Sequence, residues 1–268
     1  MIIKRIQKAY NLYREKSYFF NPGVRPQLSN QFVQCFSLKK TRQLIIIMRK
    51  QLLFLFFALF FIHSVSAQDT TLPYWQEVSA FRELDSANLP PKNSILFIGS
   101  SSFTKWTDVQ EYFPGPPIIN RAFGGSSLPD LINHVDAIVF PYKPRQIIIY
   151  CGENDLAASD TVSAELVFTR FTQLFQLIRE KLPAVSIAFV SIKPSPSRRK
   201  IWPQAREANA LIKKWLKTKK HTAYIDVYYK MFKNGNIMQD IFIEDDLHMN
   251  AKGYAIWQKA IEPYLLKK

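Results

Sequence analysis

The chain has 268 residues, 47% of them hydrophobic, with 36 Lys and Arg against 21 Asp and Glu for a formal charge of +15. That length suits one large α/β domain. The charge alone would suggest a nucleic-acid binder. It is concentrated at the amino end, where residues 1–67 hold 11 Lys and Arg but a single acid, Glu15, and the remaining 25 basic residues meet 20 acidic ones, so a nucleic-acid partner is not expected.

Residues 48–67 begin Met48-Arg49-Lys50, continue through an apolar run to Ile62 and end with Val65 and Ala67 at the −3 and −1 positions before Gln68. This is the form of a secretory signal peptide, and the run falls short of the roughly 20 residues that span a bilayer. No Cys follows the cleavage point, so a lipid anchor is not indicated. We therefore expect Met48 to be the functional start, residues 1–47 to be an upstream extension, cleavage near Ala67/Gln68, a secreted or periplasmic location, and a single domain over 68–268; the alternative is a cytoplasmic tail ahead of a signal anchor. Of the two cysteines, Cys35 lies in the extension, which leaves Cys151 without an internal disulfide partner. Cys151 ends an apolar run and reads as a small buried hydrophobe.

Within 68–268 the pattern alternates. Trp75, Val78, Phe81 and Leu84 are spaced as on a helix over 74–89, which Pro90-Pro91 ends. Ile95-Leu96-Phe97-Ile98 reads as a buried parallel strand, stopping at Gly99 before Ser100-Ser101-Ser102. A short strand over 118–121 leads to Gly124-Gly125-Ser126, and a helix follows over 127–139. Ile147-Ile148-Ile149-Tyr150-Cys151 is a second fully apolar strand and leads into Gly152-Glu153-Asn154-Asp155. The best amphipathic helix spans 161–182. A strand over 185–190, a Pro- and Ser-containing loop, a basic helix reaching about residue 219, a strand over 223–227 and a terminal helix over 250–265 complete the order. Strands alternating with helices predict a parallel sheet with helices on both faces. No Gly-rich phosphate loop is present, so nucleotide binding is not expected. Lys213, Lys214, Lys217, Lys219 and Lys220 read as a solvated helix face, with weak contact to an anionic membrane surface as the alternative.

Four strand ends or loops carry polar groups suited to one reaction: Ser101, Gly125, Asn154, and the Asp245-Asp246-Leu247-His248 segment before the last helix. Parallel strands bring their carboxyl ends to one rim, where open α/β sheets hold ligands. A serine needs a base to become a nucleophile, and His248 is suited to that role because an imidazole changes charge near neutral pH. Asp245 can turn back to hold the other ring nitrogen. The N–H of Ser101, the N–H of Gly125 and the amide of Asn154 can receive an oxyanion. Each element alone has a plain structural explanation. The joint occurrence in order points to acyl transfer.

This pattern resembles the SGNH (GDSL-like) hydrolase family of esterases and lipases over about residues 92–265. The family's Gly-Asp-Ser block falls on Gly99-Ser100-Ser101, its oxyanion glycine on Gly125, its Gly-x-Asn-Asp block on Gly152–Asp155 and its Asp-x-x-His block on Asp245 and His248. Ser100 stands where Asp is usual, which leaves Ser100 and Ser102 as neighbours to be distinguished from the matching Ser101. The resemblance implies a flavodoxin-like three-layer α/β/α fold with about five parallel strands. It also implies no cofactor and no metal. The expected activity is metal-independent hydrolysis of carboxylic esters through an acyl-serine. The substrates would be short-chain acyl or O-acetyl groups on sugars, or lysophospholipid-type lipids. Trp106 and Phe123, with Phe103 and Trp202, are candidates for stacking on a sugar substrate, with a place in the core as the alternative. The alternative is a non-catalytic carbohydrate-binding or envelope protein on the same fold.

Overall fold

The computed structural model describes residues 72–267 apart from Leu89; the signal-like segment and residues 1–47 fall outside them. Five parallel strands form the sheet: β1 (Ile95–Gly99), β2 (Ile118–Asn120), β3 (Gln146–Tyr150), β4 (Ser186–Val190) and β5 (Thr222–Ile225), in the order β2-β1-β3-β4-β5. Successive side chains point to opposite faces, so each strand feeds two cores. Leu96, Ile98, Ile147, Ile149, Ile187 and Phe189 enter one. Ile95, Phe97, Ile148, Tyr150, Ala188 and Val190 enter the other. A strand buried on both faces must be apolar throughout, and this is why β1 and β3 read as unbroken runs.

Helices cover both faces. The first core is closed by α1 (Trp75–Ala87) and by residues of α4 (Leu128–Ile138), α6 (Ala164–Lys181) and α7 (Trp202–Leu216). The second is closed by α2 (Ser101–Thr104), α3 (Val109–Tyr112) and α8 (Ala251–Ile261) around Trp106 and Trp257. A short α5 (Glu153–Ala158) follows β3. This is the three-layer α/β/α arrangement that was expected.

Boundaries differ where caps decide them. The long helix starts at Ala164, because the Ser163 hydroxyl accepts the Leu166 N–H at 3.2 Å. The basic helix is preceded by a 3-10 turn over Pro196–Ile201 and stops at Leu216. The terminal helix stops at Ile261, and Glu262–Tyr264 form another 3-10 turn around Pro263. An unexpected hairpin pairs β6 (Phe232–Lys233) with β7 (Asn236–Ile237) through Asn234-Gly235, both at positive φ (52° and 78°). Asn-Gly is the dipeptide a tight two-residue hairpin favours.

The strand order reverses between β1 and β3, and crevices for ligands form at such a switch point. Gly99 closes β1 there at φ 145°, with its backbone so near β3 that a Cβ would lie 1.9 Å from the Tyr150 carbonyl oxygen. Only glycine fits.

Candidate active site

Gly99 delivers the chain into α2, whose first residue is Ser101. The Ser100 N–H is tied to the Tyr150 carbonyl at 3.0 Å. Ser100 and Ser102 are both buried, whereas Ser101 is partly exposed. The three neighbouring hydroxyls are thereby distinguished: only Ser101 turns toward the rim. Its Oγ lies 2.8 Å from His248 Nε2, and His248 Nδ1 lies 2.5 Å from Asp245 Oδ2.

A tight loop makes this possible. Phe242 and Met249 form an antiparallel bridge, and the Ile243 N–H donates to the His248 carbonyl at 2.9 Å. Between them Asp246 adopts φ 52°, a left-handed conformation that Asp tolerates better than most residues. Asp245 Oδ1 accepts the backbone N–H groups of Leu247 and His248 at 2.9 and 2.8 Å, leaving Oδ2 for the imidazole. Burial would push the Asp245 carboxyl up, but the bonds from the His248 ring and the two backbone N–H groups outweigh it and hold the group at about 2. The loop is fastened to its surroundings. The Ser197 N–H and hydroxyl both donate to the Asp246 carbonyl, and Gln239 donates to the Asp246 carboxylate at 2.6 Å. The Tyr254 hydroxyl on α8 donates to the Ser102 carbonyl at 3.0 Å and so couples the helix after His248 to the turn that carries Ser101.

The other side of Ser101 is built around Ser126. The Ser126 hydroxyl donates to the Gly99 carbonyl at 3.1 Å, and its carbonyl accepts from Asn154 Nδ2 at 2.9 Å. One residue thus ties the turn after β2 to the end of β1 and to Asn154 after β3. Gly125 has φ 79°, and a Cβ there would stand 3.1 Å from the Tyr74 hydroxyl. The fourth member of the Gly-x-Asn-Asp block, Asp155, has a structural duty: it accepts the Leu128 N–H at the start of α4 and pairs with Arg170, both at about 2.9 Å or less. A hydroxyl bonded to an imidazole that is bonded to a carboxylate can shed its proton as it attacks a carbonyl. Among the described residues no three His, Cys, Asp or Glu side chains are gathered as a metal ion would need.

Residues 95–256 match the GDSL-like lipase/acylhydrolase family, and that stretch spans all four strand ends and loops that build the site. The chain belongs to that family. As a GDSL-like hydrolase it acts on carboxylic esters. Solved structures share the fold. A Streptococcus pneumonia protein provisionally named a platelet activating factor superposes with a TM-score of 0.64 at 20% identity, covering 78% of this chain and 99% of its own. A GDSL-like lipase from Bacteroides thetaiotaomicron gives 0.59 at 18% identity, covering 70% and 96%. A catalytic mutant of an acetylxylan esterase from Geobacillus stearothermophilus gives 0.52 at 14%, covering 65% and 94%. None of the curated proteins compared matches the chain.

Two expectations for this hydrolase are corrected. Trp106 (0% exposed) and Phe123 (1%) face the core and offer no surface to a substrate. Trp106 stacks on Tyr254 with ring centroids 4.8 Å apart, and Phe123 packs between Tyr74 and His134. The single turn of α2 leaves Trp106 in the second core, packed with Tyr254 and Trp257. Phe103 is likewise core. Trp202 does reach a surface groove of about 520 Å³ beyond β4 and β5, lined also by Arg199, Arg206, Tyr228, Tyr229 and Phe232. Cys151 is buried as expected, and burial pushes its thiol well up.

Sequence reasoning missed the groups that hold Asn154. Its Oδ1 accepts from Arg198 Nη1 at 2.9 Å. Glu153, buried, accepts from Tyr150 Oη at 2.7 Å and Lys193 Nζ at 2.5 Å, and the Ser195 hydroxyl donates to its other oxygen. Burial alone would push the Glu153 carboxyl up; Lys193 and Arg198 hold it below the ordinary carboxylate range. The available signal was a Lys and an Arg five residues apart in a Pro-stiffened loop on the same rim.

Proposed function

We propose that this hydrolase is an exported esterase that removes short acyl groups, acetyl foremost, from carbohydrate through an acyl-Ser101 intermediate. The observation that carries the reading is the unbroken chain of hydrogen bonds Ser101–His248–Asp245, at 2.8 and 2.5 Å. Ser101 Oγ attacks the ester carbonyl while its proton passes to His248 Nε2. The Asp245 carboxylate stays ionised and stabilises the imidazolium that forms. The carbonyl oxygen becomes an oxyanion facing the backbone N–H groups of Ser101 and Gly125 and the Asn154 N–H not used by Ser126. Collapse expels the alcohol, which takes the proton from His248. Water then repeats the sequence, with His248 as base, and releases the acid.

Support for a sugar substrate comes from the groove beyond β4 and β5. Tyr229 there is 65% exposed, Trp202 presents a partly exposed indole, and Arg199 and Arg206 add hydrogen-bond donors. Aromatic faces stack on apolar faces of ligands while cations bind hydroxyl or carboxylate oxygens. An acetylxylan esterase among the structural neighbours is consistent with this reading. Support for export comes from residues 48–67; the native protein should begin at Gln68, and an intact residue 1–47 segment on the mature protein would remove that part of the proposal. The substrate reading is tested with p-nitrophenyl esters of increasing acyl length. kcat/KM should be highest for acetate and fall steeply beyond butyrate, whereas a rise toward long chains would assign the enzyme to lipids.

A further inference from the structure

Asn154 can present its side chain in two ways. A carboxamide is nearly symmetric in shape, with an acceptor oxygen on one side and a two-hydrogen donor on the other. An oxyanion donor must keep the nitrogen toward the reacting carbonyl; the flipped amide would place a lone pair there. In this chain both ends of the amide are fixed. Nδ2 donates to the Ser126 carbonyl at 2.9 Å, and Oδ1 accepts from Arg198 Nη1 at 2.9 Å. A guanidinium has donors only, so the flipped amide would set donor against donor at Arg198 and acceptor against acceptor at Ser126.

Arg198 is itself held. It sits at the kink of the turn before α7, with φ −119° and ψ 31°, between Ser197, which fastens the catalytic loop, and the groove residue Arg199. Its Nη1 stands 3.8 Å from Glu153 Oε1. Glu153 is fixed from beneath by Tyr150, Lys193 and Ser195, and Lys193 is as deeply buried as its partner. Of the two cations near Glu153, Lys193 is paired directly with it, whereas Arg198 gives its hydrogen bond to the amide. A cation on the carbonyl end of an amide draws electrons from its N–H groups and makes them stronger donors.

We propose that Arg198 is a positioning residue that locks the Asn154 carboxamide in its donor orientation and, through its hydrogen bond to Oδ1, strengthens the amide N–H groups that meet the oxyanion. This rests on the reading of Asn154 as an oxyanion donor given above. Arg198 acts through Asn154, so its effect should vanish when that amide is gone.

The test is a double-mutant cycle on the full chain, with kcat and KM measured for p-nitrophenyl acetate. Arg198→Ala should lower kcat about 10- to 100-fold with KM nearly unchanged, because the amide matters only once charge develops. Arg198→Lys, which keeps a donor and the charge, should recover part of the loss. In an Asn154→Ala background, Arg198→Ala should cost less than about twofold. An equal loss in both backgrounds, an unchanged kcat, or a rise in KM alone would each overturn the inference, the last by making Arg198 a substrate-binding group. Should Arg198→Ala not fold, Arg198→Lys and Arg198→Gln in the same two backgrounds carry the comparison. A fluorophosphonate probe separates the two levels of the argument. Labelling of Ser101 in the parent enzyme with additive cycle energies sinks only the Arg198 proposal. Absence of labelling at Ser101 sinks the catalytic reading and this inference with it.

Discussion

Asp245 is the residue whose ionisation the site depends on without its touching the substrate. Its folded value, about 2, lies below the ordinary carboxylate value, so folding favours the charged form. The sign follows: the contribution of this carboxylate to the loop is fully present above about pH 4 and is lost as pH falls toward 2. Between about pH 3 and pH 5 the Asp245 carboxylate then stays largely ionised in the folded enzyme. An NMR titration of the Asp245 carboxyl carbon should show a depressed midpoint, and a midpoint near the ordinary carboxylate value of about 4 would contradict this. Asp245→Ala should lower kcat by about one to two orders of magnitude less than His248→Ala, because the base survives without its orienting partner. The Ser101–His248–Asp245 contacts could be anticipated from the sequence because each residue sits at a strand end or loop with a short, chemically distinctive neighbourhood. Arg198 could not. Its partner lies 44 residues away, and the contact depends on a kinked turn that no local pattern announces.

At the scale of elements, the turn after β1 carries the tightest constraint. Gly99→Ala would drive a Cβ into the β3 backbone at Tyr150 and force a side chain onto φ 145°. Strain and overpacking together should cost about 2–6 kcal/mol, read as a lowered urea midpoint at constant m. A variant as stable as the parent would mean that the β1–β3 contact is looser than described. Helices and strands were legible wherever their residues faced a core, because burial imposes the period. The misjudged ends were those set by a single capping group, as at Ser163, or by a turn of 3-10 helix, as at Pro196–Ile201. The β6–β7 hairpin was overlooked although Asn234-Gly235 marks it, since strands of two residues carry no alternation to read.

The whole molecule turns a linear order into a site by one rule: parallel strands end on one side. With β1 and β3 adjacent and the order reversing between them, loops more than a hundred residues apart in sequence meet at one crevice. That convergence could be inferred from strand–helix alternation alone. The inward turn of Trp106 and Phe123 could not, because side-chain direction after a strand depends on where the next helix packs. The account as a whole rests on a covalent event at one of three adjacent serines, and rapid acid quenching during turnover of p-nitrophenyl acetate, followed by peptide mapping by mass spectrometry, tests it most directly. One acetyl group should be found on Ser101, accumulating with the burst of nitrophenol and absent from Ser101→Ala, which should retain the fold and lose kcat by about 10⁴- to 10⁶-fold. An acetyl group on Ser100 or Ser102 instead, or steady turnover by Ser101→Ala at the parent rate, would contradict it.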